Sequence, residues 1–239
     1  MNKTLVVLLG VNGTLSSAII NDLAINHGGE VDMIGFDVQP STDLPVSQYH
    51  VCDLGSRKSI RAALAKIPYG QYKDIRLLMC AAVMNLTSLE GKSFSEAAFY
   101  KTMQIDLAGQ GFFATSMARK CVKAGIKARV IAIGSTAAYI GSNDIAYSMS
   151  KAGLNGMVHS LSKYFASKGV VANAIHTGIF ESAMEAQVSE ARKAKTIAMT
   201  HIKRKGNLEE IRNFVQYHLL GAPDFFTGQC IDINGGQHT

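Results

Sequence analysis

Residues 4–26 read TLVVLLGVNGTLSSAIINDLAIN. Leu5–Leu9 is a short, continuous apolar run, as a strand buried on both faces requires. Gly10 and Gly13 punctuate the stretch after it. Leu15, Ala18, Ile19, Asp22 and Leu23 then recur at helical spacing, which predicts a helix over Thr14–Asn26. The segment is a strand, a tight turn and a helix, and the same pattern repeats along the chain.

Further strands are expected at Val31–Phe36, Gln48–Cys52, Ile75–Ala82, Arg129–Gly134, Val170–Ile175 and Gln229–Ile233. Helical patterns lie between them at Ser56–Ile67, Phe94–Met103, Ile105–Ala124, Tyr147–Ser167 and Leu208–Leu219. This alternation predicts an α/β fold: one doubly wound parallel sheet of about seven strands, with helices on both faces and right-handed crossovers. There is no internal repeat, low-complexity tract or linker, so residues 1–239 read as a single domain. The longest irregular region is 177–207.

A chain of 239 residues buries enough surface to need neither disulfides nor a metal. Cys52, Cys80, Cys121 and Cys230 form no CxxC and no Cys/His cluster, so they read as reduced, mostly buried thiols, with no metal site. Such thiols suit a reducing compartment. The first apolar run is too short to span a membrane, and no 18-residue apolar stretch occurs. A cytoplasmic protein without a membrane partner is expected. The net charge of +6 is carried entirely by Arg192, Lys193, Lys195, Lys203, Arg204 and Lys205, in a stretch without an acid. A charge this local does not make a nucleic-acid footprint.

The turn after the first strand has the composition of a phosphate site. Glycines there allow a tight turn and bring backbone close to a pyrophosphate at a helix N-terminus. Thr14 and Ser16 stand where two further glycines are usual; both are small, and their hydroxyls offer phosphate donors. The second strand ends at Asp37, 21 residues beyond Ser16, where an acid accepts from the ribose hydroxyls of an adenosine. A carboxylate there repels a 2′-phosphate, so NAD(H) is expected over NADP(H). Asp53 closes the third strand, placed either to meet the adenine amino group or to cap the next helix.

Tyr147 and Lys151 are four apart and so share a helix face. A free phenol is a poor base at neutral pH, but a neighbouring ammonium stabilises the phenolate. Ser135 ends the preceding strand twelve residues earlier.

On Gly10 with Ser16, Asp37, Asp53, Ser135, Tyr147-Ser148-Met149-Ser150-Lys151, Asn173-Ala174-Ile175, Gly178 and the closing Thr227-Gly228-Gln229 with Asp232-Ile233-Asn234-Gly235-Gly236, the chain resembles the short-chain dehydrogenase/reductase family over essentially its whole length. The resemblance implies a Rossmann-type fold and an NAD(H)-dependent oxidoreductase interconverting a secondary alcohol and a ketone. It implies that Tyr147 is the proton donor and acceptor, that Lys151 binds the nicotinamide ribose and lowers the Tyr147 pKa, and that Ser135 orients the substrate oxygen. Asp37 and Asp53 would hold the adenosine. Gly10, Asn12, Gly13, Thr14, Leu15, Ser16, Leu54, Ala81, Ala82, Gly178 and Ile179 complete the implied cofactor site.

The sequence departs from the family pattern in places. The glycine motif reads Leu9-Gly10-Val11-Asn12-Gly13-Thr14-Leu15-Ser16, the family's NNAG reads Met79-Cys80-Ala81-Ala82, and its PG reads Thr177-Gly178. The Asn of the family's catalytic tetrad falls on Asp106. A nucleotide-binding regulatory or scaffold protein of the same fold, without turnover, is the alternative. His159 reads as a packed side chain, His176 as structural or near the nicotinamide mouth, and Tyr139 as pocket lining. Asn143-Asp144 reads as a turn.

The resemblance also makes 177–207 a substrate lid. Its cations would either lie on a solvated surface helix or draw in an anionic small molecule, with Lys203–Lys205 best placed and Gly206 as a hinge. The long helices Ile105–Ala124 and Tyr147–Ser167 are the family's pairing surfaces, so a two-fold homodimer or homotetramer is expected. Sedimentation at micromolar concentration should return a dimeric or tetrameric mass; a monomeric mass would contradict it.

Overall fold

The computed structural model describes residues 3–84 and 95–238. Seven strands form one parallel sheet in the order β3-β2-β1-β4-β5-β6-β7. They are β1 (Thr4–Leu9), β2 (Val31–Asp37), β3 (Gln48–Val51), β4 (Asp74–Met79), β5 (Lys127–Ser135), β6 (Val170–Thr177) and β7 (Cys230–Ile233). The helices are α1 (Thr14–Asn26), α2 (Arg57–Lys66), α3 (Glu96–Met103), α4 (Gln110–Ala124), α5 (Ala137–Ile140), α6 (Ile145–Phe165), α7 (Ala183–Ala186), α8 (Glu190–Met199) and α9 (Leu208–Gln216).

The alternation along β1 builds two cores. Leu5, Val7 and Leu9 face one layer with α2, α4 and α6. Val6 and Leu8 face the other with α1 and α9. Every residue of β1 is buried, which is why its apolar run has no polar interruption. The strand order reverses between β1 and β4, and a crevice opens there beyond the carboxyl ends of the strands.

Several boundaries differ from the sequence expectation, each for a local reason. β4 stops at Met79 rather than Ala82, because its neighbour β1 ends at Leu9. The helices expected at Phe94–Met103 and Ile105–Ala124 are joined through a π-helical turn, Gln104–Gly109; Phe94 lies outside the described residues. Asn143-Asp144 is more than a turn: the Asp144 side chain accepts from Tyr147 N at 3.0 Å and starts α6 at Ile145. Asp53 is not the cap of α2; Ser56 takes that place by accepting from Ser59 N.

Arg129 opens the expected strand and is the third residue of β5. Its side chain is 5% exposed and bonds the His218 and Ala222 carbonyls at 3.1 and 2.6 Å and Asp224 at 3.0 Å. Arg76 on β4 bonds the Leu219 and Leu220 carbonyls. The two guanidinium groups satisfy the carbonyls of the π-helical turn Tyr217–Gly221 that ends α9. Arg129→Leu should therefore orphan buried acceptors and cost about 3 kcal/mol. For a chain of this size that is a Tm drop of roughly 6–12 °C by calorimetry. A drop of under about 2 °C would show that water replaces the guanidinium without loss.

Candidate functional site

The crevice at the switch point is a cavity of about 630 Å³. Gly10, Gly13, Thr14, Leu15 and Ser16 form one wall, with Asp37, Asp53 and Leu54 beside them. Ala81 and Ala82 line its floor, and Tyr147 and Lys151 close its far end. The site residues expected from widely separated segments thus meet in one place. Asn12, Asp106, Ser135, Gly178 and Ile179 do not line the cavity, although Gly13, Ile105, Gly134 and Thr177 beside them do.

The glycine turn is set by close approach. Gly10 has φ +80°, and a Cβ there would lie 2.7 Å from Ala81 Cα, so backbone passes backbone at the switch point. Gly13 is the N-cap of α1 and supplies no side-chain cap, and the first turn holds no acid. The open N–H groups and positive end of α1 therefore face the cavity, which suits an anionic phosphate. Of the two hydroxyls expected to help, Thr14 Oγ1 accepts from Ala183 N at 3.0 Å, tying the glycine turn to α7. Ser16 Oγ is buried beside the Cys80 thiol and meets no other hydrogen-bond partner among the described residues. Asn12 gives its N–H to Asp37 Oδ2 at 3.0 Å and its amide to Ser41 O at 3.2 Å, so it braces Asp37. Asp37 Oδ1 accepts from Gln39 N at 3.1 Å. Asp53 Oδ1 accepts from Gly55 N at 2.8 Å.

Tyr147 and Lys151 come one turn apart on α6, whose start Asp144 fixes. Lys151 is 2% exposed; its Nζ donates to Ile133 O at 3.0 Å and lies 5.4 Å from the Tyr147 ring centroid. Its two other N–H donors have no partner among the described residues, and the side chain lines the cavity. That is a fit for hydroxyl acceptors of a bound ligand. Ser135 Oγ accepts from Ala137 N at 3.2 Å, which leaves the hydroxyl proton to donate elsewhere.

Asp106 lies in the π-helical turn and is fully buried. Oδ1 accepts from Val83 N at 2.7 Å, whereas Oδ2 has no partner among the described residues. Burial pushes its carboxyl up to about 6, against the opposing pull of Lys151. Gln110 Nε2 bonds the Asp106 and Ala81 carbonyls at 3.1 and 2.8 Å and so fixes the turn to the cavity floor. The thiol of Cys80, which also lines the cavity, is raised to about 11 by burial.

The segment 177–207 departs from the expectation of a cationic lid. Lys193 pairs with Glu185 and Glu190 at 3.3 and 2.8 Å. Arg204 meets both oxygens of Glu210, and Lys205 lies 3.7 Å from Glu181 and from Glu185. Acids on either side of the run answer its charge, and the sequence showed their number but not their pairing. Gly206 is no hinge, because its N–H bonds Ile179 O and its carbonyl accepts from Glu181 N. What the segment brings to the cavity is mostly uncharged: Phe180, Ser182, Met184 and Gln187. The broken helical pattern there gave no period from which to find them. His159 is exposed beside Cys230.

Among the described residues no group of three or more His, Cys, Asp or Glu is placed to hold a metal. No described helix is long and apolar enough to cross a membrane.

Comparison with known proteins agrees with this geometry. The family described as enoyl-(acyl carrier protein) reductase matches residues 35–238. A 3-oxoacyl-[acyl-carrier-protein] reductase of Aquifex aeolicus is 27% identical, covering 97% of this chain and 86% of the relative. A 2-dehydro-3-deoxy-L-rhamnonate dehydrogenase (NAD(+)) of a Sphingomonas species is 28% identical over 90% of this chain and 88% of its own. The solved structure of a 4-hydroxyisoleucine dehydrogenase complexed with NADH superposes with a TM-score of 0.85 at 18% identity, covering 98% of each chain. The chain belongs to the short-chain dehydrogenase/reductase family of oxidoreductases, which bind a nicotinamide cofactor.

The raised Asp106 carboxyl has a consequence for stability. A carboxyl held above its ordinary value of about 4 favours the folded state in its protonated form. Stability should therefore fall as pH rises from about 4 to about 6 and level off above that. Asp106→Asn keeps an acceptor for Val83 N and cannot ionise. Its stability advantage should grow across that window to at most on the order of 3 kcal/mol in urea titrations. Parallel pH curves for the two proteins would show that the buried carboxyl is not protonated.

Proposed function

We propose that this chain is an NAD(H)-dependent oxidoreductase that interconverts a secondary alcohol and a ketone, with Tyr147 moving the proton. The observation that carries the reading is Lys151. Its buried ammonium is anchored to Ile133 O beside Tyr147, in the same cavity as the uncapped N-terminus of α1 and Asp37.

The residues divide the work by position. The N–H groups at the start of α1 take the pyrophosphate, and Asp37 and Asp53 take the adenosine. Asp37 sits at the end of β2 braced by Asn12 and Gln39 N–H groups, and neither bond supplies a cation for a 2′-phosphate. The two spare donors of Lys151 hold ribose hydroxyls. When bound, the nicotinamide dinucleotide supplies or accepts the hydride. In reduction, Tyr147 Oη gives its proton to the substrate oxygen, and the Lys151 ammonium stabilises the charge left on the phenol oxygen. In oxidation, Tyr147 Oη takes the proton back. Ser135 donates its hydroxyl proton to the same substrate oxygen and orients it. Residues 177–207 cover the substrate end, and residues 1–239 work as one dinucleotide-binding domain, in a homodimer or homotetramer.

The similar 2-dehydro-3-deoxy-L-rhamnonate dehydrogenase, named for NAD(+), supports the cofactor choice. Lys193, Arg204 and Lys205 of the basic run are paired to acids, and what 177–207 brings to the cavity, Phe180 and Met184 among it, is uncharged. That favours a ketone flanked by apolar groups over one recognised by its charge.

A panel of 3-oxoacyl thioesters, 2-keto sugar acids and simple ketones, followed by NADH absorbance, tests the activity. Binding of NADH with turnover of none of them would favour the regulatory reading. Tyr147→Phe should remove nearly all turnover and leave NADH affinity almost intact. Retention of more than about a tenth of kcat, a barrier change of only ~1.4 kcal/mol, would remove Tyr147 from the mechanism. Calorimetric titration should show NADH binding more tightly than NADPH; the reverse order would defeat the reading of Asp37.

A further inference from the structure

Ser135 ends β5, and a ring from the neighbouring strand meets its backbone. His176 on β6 is fully buried. Its Nδ1 lies 3.1 Å from Ser135 N and 3.1 Å from Ser135 O, and its Nε2 lies 2.7 Å from Asn155 Oδ1. A backbone N–H can only donate. Nδ1 is therefore the acceptor, and Nε2 carries the proton that goes to Asn155. Asn155 stands one turn beyond Lys151 on α6, so the ring ties the end of β5 to the helix that carries Tyr147 and Lys151.

The packing around the ring is specific to it. A Cβ on Gly134 would lie 2.3 Å from His176 Nδ1, so the glycine before Ser135 is what admits the imidazole. Tyr139 packs on it at 4.9 Å between centroids, and His238 stacks on Tyr139 at 4.6 Å.

We propose that His176 is a positioning residue: held as the Nε2-protonated tautomer by Asn155, it accepts the Ser135 N–H and so sets where the Ser135 hydroxyl meets the substrate oxygen. This rests on the reading of Ser135 as the group that orients that oxygen. Protonation of Nδ1 would break the arrangement, since an Nδ1–H cannot accept from Ser135 N and would turn to Ser135 O instead. The surroundings oppose that change. Burial and the Lys151 ammonium hold the imidazole below its ordinary value, against Asp232 and the Ser135 carbonyl. The groups that face the ring are Gly134 and Ser135 from β5, Asn155 and Lys151 from α6, Tyr139 from α5 and Asp232 from β7, with His238 beyond Tyr139.

The test is NMR on the full chain with ¹⁵N in its histidine rings and backbone amides, without ligand. Between pH 6 and 8 the expected His176 signals are a protonated Nε2 and an unprotonated, hydrogen-bonded Nδ1. Asn155→Asp puts a carboxylate on the Nε2–H and should raise the imidazole pKa by about one unit or more. The Ser135 amide should then titrate with the same midpoint, and the acid limb of kcat for the panel ketone turned over should move up with it. His176→Asn places an oxygen where Nδ1 stood and should keep the Ser135 amide slow to exchange. His176→Leu should speed that exchange about tenfold or more while β1 amides keep theirs. An Nδ1-protonated ring in the native protein, or a Ser135 amide and acid limb unmoved by Asn155→Asp, would overturn the proposal. Full turnover in Ser135→Ala would instead defeat the reading of Ser135 and leave the ring measurements standing.

Discussion

A buried ammonium anchored at the carboxyl edge of a parallel sheet is the constraint around which this molecule is arranged. Lys151 sits in the interior with one protein carbonyl, Ile133 O, among the described residues. Burying a charge is costly unless it is paired or hydrogen-bonded, so the fold must supply partners or leave its remaining donors on a cavity. It does the latter. The N-cap at Asp144 fixes where α6 begins, and that fixes both Tyr147 and Lys151 relative to the end of β5. The cavity, the glycine turn and the carboxylates of Asp37 and Asp53 lie along the same edge because the strand order reverses between β1 and β4.

Much of this was legible in the sequence because it depends on local period and on one-residue geometry. The two-sided burial of β1 demands an unbroken apolar run, and the run Leu5–Leu9 is one. Gly10 is required by its approach to Ala81, and Tyr147 and Lys151 announce themselves by helical spacing. Asp37 was placed by counting from the turn and Asp53 by its place at the end of the third strand, and both face the cavity. What escaped depends on partners distant in sequence. Arg129 looks like a flaw in a strand until His218, Ala222 and Asp224 come to meet it from about 90 residues away. The basic run between 192 and 205 looks like an anion trap until Glu181, Glu185 and Glu210 are folded against it. The π-helical turn at Gln104–Gly109 has no sequence period of its own. It shows only where Gly109 passes so close to Leu54 O that a Cβ would lie 2.1 Å away.

Several of the chain's departures from its family's pattern put polar or ionisable groups at the site or beside it. Ser16 and Cys80 line the cavity, and Asp106 fills a buried place with one oxygen that has no hydrogen-bond partner among the described residues. These are polar or ionisable groups in low-dielectric surroundings, where an unpaired atom is costly and its protonation state sensitive to neighbours. Asp106 and His176 both answer electrostatically to Lys151, one drawn toward its charged form and the other pushed from it. The ammonium that the proposed reaction uses thus also biases the charge of these neighbouring groups, beside the larger effect of their burial.

A crystal structure of the chain with NADH tests the role of Lys151 most directly. The arrangement of donors predicts adenosine ribose hydroxyls on Asp37, phosphates at the open N-terminus of α1, and the two spare donors of Lys151 on the nicotinamide ribose beside Tyr147. A dinucleotide bound elsewhere, or one that reaches the α1 turn while its nicotinamide ribose makes no contact with Lys151, would contradict it.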